Sequence, residues 1–176
     1  MNTKNLVVLA LLAGIGVVLH TLMPAFLQIK PDMMLAMMFL GIVLIPNIKS
    51  AALMGIVTGI LSALTTSFPG GQIPNIIDKV LTSLIIFGLV IVFKKYSNTT
   101  AGVAVLTAVG TIISGSIFLG SAFYIVGLPG PFLALFAAGV LPAVVINTIV
   151  MVILYPIARS IFKRTNLSST AAVTQK

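Results

Sequence analysis

Two acids and the lysines beside them are the groups in this chain best suited to holding a polar solute. Asp32 and Asp78 are the only acidic residues among 176, and each has a lysine close by, Lys30 and Lys79. A zwitterion such as an amino acid needs one partner of each sign, a carboxylate for its ammonium and an ammonium for its carboxylate. Asp78-Lys79 follow Ile73-Pro74-Asn75-Ile76-Ile77 at what reads as the start of a helix. Two roles are open to Asp78. A carboxylate near a helix start is favoured by the helix dipole and can simply pair with a lysine. Alternatively it is the counter-ion of a ligand ammonium, with Lys79 or Lys30 meeting a carboxylate. Adjacent helix residues point about 100° apart, so Asp78 and Lys79 need not pair with each other. Asp32 follows Pro31 and reads first as the N-cap of the next helix, then as a ligand contact.

Other polar residues gather around these. Gln72 and Asn75 flank the same turn and offer amide hydrogen bonds. Gly70 and Gly71 permit close backbone approach or a mobile lid. His20, near the end of the first apolar run, is either a bundle hydrogen-bonding group or a ligand contact. Ser116 and Tyr124 are further pocket candidates. Asn147, deep in the last apolar run and just past Pro142, suits interhelical hydrogen bonding. Met33, Met34, Met37 and Met38 form i,i+4 pairs, which make ordinary packing or a soft wall against an aromatic ligand.

Much chemistry is excluded. With no cysteine there is no disulfide or thiolate nucleophile. There is no Gly-x-x-x-x-Gly-Lys-Ser/Thr loop to cradle nucleotide phosphates. One histidine and two acids make neither a convincing metal site nor a proton-relay chain. No Ser/His/acid set has a signature spacing. The chain is therefore expected not to be an enzyme, and to hold no metal and no cofactor of its own.

The elements that must position these residues are apolar. The chain is 59% hydrophobic and 7% charged, against about 25% charged in a soluble domain. That composition implies an integral membrane protein. The net charge of +8 then belongs to membrane-flanking anchors rather than to a nucleic-acid surface. Six apolar stretches follow one another: Leu6 to Met23, Met33 to Ile45, Ala51 to Thr66, Ile76 to Phe93, Gly102 to Val126 and Phe132 to Ile157. The first is long enough to span and lacks a small-x-small cleavage site, so it is a span rather than a signal peptide. The second gives only about 20 Å of helix, so it is little tilted, re-entrant or sunk within the bundle. The runs lack strand alternation, and backbone groups in lipid must be satisfied internally, so helices are expected. Residues 1–164 form one transmembrane domain in this reading, and the Ser/Thr-rich segment 165–176 a disordered cytoplasmic tail.

Charge sets the orientation. With the N-terminus inside, Lys4, Lys49, Lys94, Lys95, Arg159, Lys163, Arg164 and Lys176 all fall on the inner side, while both acids fall outside with Lys30 and Lys79. Six passes with both termini in the cytoplasm satisfy the positive-inside rule. Small residues recur at helical spacing in Ala10/Gly14, Gly55/Gly59 and Ala134/Ala138. Such faces let helix backbones approach closely, either inside the bundle or against another membrane subunit. The second role is most attractive for Ala10 and Gly14, in the inner half of the first helix.

Lys30-Pro31-Asp32-Met33-Met34-Leu35, Gly55-Ile56-Val57-Thr58-Gly59-Ile60 and Ser62-Ala63-Leu64-Thr65-Thr66 form a recognisable series. Phe68-Pro69-Gly70-Gly71-Gln72-Ile73-Pro74-Asn75 and Asp78-Lys79 complete it. Together they closely resemble the bacterial tryptophan transporter family, often called TrpP, over all but the tail. That family is similar in size and topology to the substrate-binding S components of energy-coupling factor (ECF) transporters. The resemblance implies an all-α, six-helix, S-component-like bundle in the bacterial plasma membrane that captures tryptophan from outside. It also implies a transmembrane coupling subunit and two cytoplasmic ATPases as partners, which would be the components that use ATP. S components commonly carry an Ala-x-x-x-Ala docking motif in the first helix; here the pair is Ala10 and Gly14. Two rivals stay open. One is a stand-alone secondary permease for an aromatic amino acid, which would need a coupling ion. The other is a non-transport membrane assembly factor, for which the outer charges would have no ligand.

Overall fold

The computed structural model describes residues 2–22 and 32–164, and its described residues contain helices and no strand. Lys30 and the segment 165–176 lie outside these residues. Helix α1 spans Thr3–Leu22, α2 Met33–Leu44, α3 Ile48–Thr65, α4 Gln72–Val92 and α5 Thr100–Ile125. Helix α6 spans Phe132–Arg164 and contains one π-helical turn, Phe136–Val140. Short connections and caps define the ends. Asp32 caps α2, Asn47 caps α3 and Thr99 caps α5, each through its side-chain oxygen, satisfying backbone donors that a helix start leaves unpaired.

Five of the six helices are long and apolar enough to cross a membrane, and α2, with twelve residues, is not. Of the three fates open to that short run, burial inside the bundle is the one observed: ten of its twelve residues are buried. Met37, Phe39, Leu40 and Ile42 of α2 form the centre of the core. Against them pack Leu9 of α1, Met54 of α3, Ile86 and Val90 of α4, Leu106 of α5 and Met151 of α6. The four methionines are thus packing residues, and Thr58 of α3 lies 3.2 Å from the sulfur of Met38. The outward faces carry exposed leucine, isoleucine and valine on all five long helices, among them Leu11, Leu64, Ile85, Val105 and Ile153. An apolar exterior of this extent fits contact with lipid.

Lipid is as apolar as the core, so close packing rather than burial alone must hold the helices together. The tightest approach is between α3 and α4. A Cβ on Gly55 would sit 2.2 Å from Ser83 Oγ and 3.0 Å from the backbone oxygen of Lys79, and one on Gly59 3.2 Å from Ile76 Cα. The Gly55/Gly59 pair therefore packs inside the bundle. Ala10 and Gly14 do the opposite: both are exposed on α1, and a Cβ on Gly14 would meet nothing within 4 Å. Ala134 is likewise exposed and Ala138 half-buried.

The π turn in α6 was not foreseen from sequence. Pro142 stands two residues after its last residue, Val140. Proline has no N–H, and its ring crowds the carbonyl of the preceding turn. One extra residue in the turn before it relieves that conflict.

Candidate functional site

The site is built where α1 ends, α2 begins and α4 begins. Lys79, only 2% exposed, lies between two carboxylates. Its Nζ is 2.6 Å from Asp32 Oδ2 and also donates to Asp78 Oδ2. Asp78 is fully buried and held from two further sides. Thr82 Oγ1, one turn along α4, donates to Oδ1 at 2.8 Å, and Ser114 Oγ of α5 donates to Oδ2 at 2.8 Å. Asp32 is more open, with its side chain 19% exposed. Its Oδ1 accepts from Leu35 N at 3.2 Å, the N-cap bond, and lies 3.6 Å from His20 Nδ1. That imidazole nitrogen is buried and makes no hydrogen bond among the described residues. Burying charge is tolerable only where opposite charges and hydrogen bonds compensate it. Here they do, and they tie α2, α4 and α5 together at one end of the bundle.

A cleft opens beside this cluster. It holds about 90 Å³ of free interior space. Its polar wall is His20, Asp32, Asn75, Asp78 and Lys79, with Thr111 and Ser114 below. Its apolar wall comes from Phe118 and Leu119 of α5 and Val140 and Ala143 of α6. Thr66, Ser67 and Phe68, in the turn between α3 and α4, cover part of it. Phe68 meets Phe118 edge to face at 5.3 Å between ring centroids. That turn needs its glycine, because Gly70 has φ of 69°, a conformation disfavoured for side chains with a Cβ. Glycine also allows two helices to meet behind the cleft: a Cβ on Gly115 would lie 2.5 Å from both methyls of Val140, on the π turn.

Five of the eight substrate candidates read from sequence therefore share one cleft: His20, Asp32, Asn75, Asp78 and Lys79. Asn75 lines it while its own Nδ2 donates to Gly71 O. Gln72 is exposed and outside the lining. Tyr124 is 87% exposed, stacks edge to face on Phe123 and also lies outside it. Lys30 lies outside the described residues. Ser116 is exposed, and Ser114, two residues earlier, holds the place in the cleft. Asn147 bridges α6 to Thr111 of α5 at 3.4 Å, an interhelical contact as expected. The residues that sequence reading missed are Ser114, Thr82, Thr111, Phe68 and Phe118. A signal existed for some of them. Thr82 stands four residues after Asp78, and Thr107, Thr111 and Ser114 make one polar stripe at helical spacing on α5.

Among the described residues, Lys4, Lys49, Lys94, Lys95, Arg159, Lys163 and Arg164 lie toward the opposite end of the bundle. There Tyr155 OH of α6 donates to Ser97 O at 3.3 Å, Arg159 donates to Asn98 O, and its guanidinium lies over the Tyr155 ring. Alternation of helix direction brings the start of α1, the α2–α3 and α4–α5 connections and the end of α6 to this end.

A family model described as tryptophan transporter TrpP matches residues 2–163. A protein of Bacillus subtilis named as a probable tryptophan transport protein is 56% identical over 97% of this chain and 99% of its own length. Proteins of the same name in Clostridium acetobutylicum and Clostridium perfringens are 47% and 39% identical. The alignments cover 88% and 94% of this chain and 91% and 97% of theirs. No solved structure matches the chain significantly.

Proposed function

The chain belongs to the TrpP tryptophan transporter family, and we propose that it binds tryptophan in the cleft between α2, α4, α5 and α6 and serves its uptake. One observation carries the reading: a buried cluster of charges of both signs stands beside a wall of Phe118, Leu119 and Val140. A zwitterion with an aromatic side chain needs both halves. The indole packs on the apolar wall, where an aromatic pair adds about 0.5–1.5 kcal/mol beyond area burial. The backbone ammonium and carboxylate face Asp32, Lys79 and Asn75. The turn carrying Phe68 is the natural cover, since Phe68 already touches Phe118.

The protein works in this reading as a multi-pass protein of the bacterial plasma membrane, with the cleft facing outward and both termini in the cytoplasm. The separation of the acids from most of the cations supports that orientation. It acts as the substrate-binding S component of an ECF importer, with the energy supplied by ATPase subunits through a coupling subunit. Two features favour this over a stand-alone permease. Ala10 and Gly14 present an uncovered small-residue face on α1. Both acids are already engaged with Lys79, which leaves no spare carboxylate among the described residues for a coupling ion. Uptake of radiolabelled tryptophan into proteoliposomes tests the whole reading. The protein alone should bind tryptophan without accumulating it, and should accumulate it only with an ATP-driven ECF module. Accumulation by the protein alone would make it a permease, and absence of tryptophan binding would refute the substrate assignment.

A further inference from the structure

The geometry points to an ion pair that opens to admit its ligand: the zwitterionic end of the substrate inserts between Asp32 and Lys79, its ammonium on Asp32 and its carboxylate on Lys79, while Lys79 keeps its contact with Asp78. This rests on the tryptophan-binding reading and adds which charge meets which residue. Asp78 and Asp32 are not equivalent. Asp78 is fully buried, and its two oxygens already accept from Thr82, Ser114 and Lys79. Asp32 is the more open carboxylate, and among the described residues its Oδ2 meets Lys79 alone, at 2.6 Å. Among the described residues, Lys79 is the one lysine or arginine lining the cleft. Among the described residues, a substrate carboxylate therefore has no other lysine or arginine to meet in the cleft. Two carboxylates and one ammonium carry a net charge of −1, so an anion alone is repelled and a cation alone leaves Lys79 without its second partner. A zwitterion exchanges one ion pair for two and leaves the net charge unchanged. His20, with its buried unbonded Nδ1 beside Asp32, is placed to follow Asp32 as the pair opens.

The pattern is tested with three indole ligands on the purified full-length protein: tryptophan, tryptamine (no carboxylate) and indole-3-propionate (no ammonium). The chain contains no tryptophan, so ligand indole fluorescence reports binding directly. Wild-type protein should bind tryptophan at least tenfold more tightly than either analogue. Asp32→Asn, which leaves Lys79 paired with Asp78, should weaken tryptophan at least tenfold while binding indole-3-propionate no worse and tryptamine no better than wild type. Asp78→Asn/Lys79→Met removes one charge of each sign, and should weaken tryptophan while improving tryptamine, so that the two bind about equally. If either variant loses all three ligands in parallel while remaining folded by thermal melting, the insertion is wrong and the pair is only structural. If the double variant does not fold, Asp32→Asn decides alone. A wild-type protein that binds tryptophan no better than tryptamine overturns the insertion and leaves the cleft assignment standing. One that binds none of the three overturns both.

Discussion

Lys79 sits where a lysine is costly to bury, and its neighbours explain why it can be there. Two carboxylates face it, and one of them, Asp78, is itself fixed by Thr82 and Ser114. Replacing Asp78 by Asn keeps its shape and removes its charge. Lys79 is then left with Asp32 as its sole acidic partner, which strengthens the pair that the ligand must open. Breaking a buried charge pair costs about 2–5 kcal/mol. Asp78→Asn should therefore weaken tryptophan more than tenfold while the protein still inserts in the membrane; wild-type affinity in the purified variant would contradict this. Ser114→Ala deletes one hydrogen bond to the same carboxylate, worth about 1.5–3 kcal/mol at most. Its melting temperature in detergent should fall, with a smaller loss of affinity than Asp78→Asn shows. At this scale the sequence was partly legible. Acids are so rare in this chain that Asp32 and Asp78 identified themselves, and the capping role of Asp32 followed from its place after Pro31. That Lys79 would reach both acids was not legible, because it depends on how α2 docks against α4. Ser114 was missed because α5 carries several small hydroxyl residues and only the packing of α5 against α4 shows which of them meets Asp78, while Tyr124 attracted notice by its chemistry and faces outward.

Among the elements, the glycines show which helix faces are inside. Gly55 and Gly14 look alike in sequence, each part of a small-residue pair at a spacing of four. Their surroundings are opposite. A Cβ on Gly55 collides with Ser83 and with the backbone of Lys79, whereas one on Gly14 meets nothing. Gly55→Ala must therefore push α3 from α4, at about 1–3 kcal/mol for overpacking, and moves the backbone that carries Lys79. It should lower both the melting temperature in detergent and the affinity for tryptophan. Gly14→Ala should change neither. Equal melting temperatures for the two variants would show that the α3–α4 contact is looser than described. Spacing alone cannot make this distinction, since it places small residues on a common face without saying what that face meets. The six apolar runs were read from the sequence with their order and approximate limits intact. The π turn was not, because it arises from the meeting of Pro142 with an otherwise continuous helix.

For the whole molecule the question is which end faces outward and what docks on its side. The cleft and the cluster of cations lie at opposite ends of the bundle. A cysteine at Gly130, in the connection between α5 and α6 where a Cβ meets nothing within 4 Å, should be labelled by an impermeant reagent from outside the cell. A cysteine at Tyr96, exposed between α4 and α5, should be labelled only from inside. The reverse pattern would invert the topology. Gly14→Leu places bulk on the uncovered face of α1, far from the cleft. It should leave tryptophan binding unchanged and abolish accumulation in cells, because a docked helix can no longer approach closely. Unchanged uptake would show that no partner docks there.

The central claim, that tryptophan is held in this cleft, has a direct measurement. The ligand supplies the only indole in the sample, so a short-range quencher attached to a single cysteine locates it. The cysteine is placed at Ser67, on the rim of the cleft, or at Tyr96, at the far end of the bundle. Purified protein should bind tryptophan saturably, with strong quenching from position 67 and none from position 96. Absence of saturable binding, or equal quenching from both positions, would contradict the account.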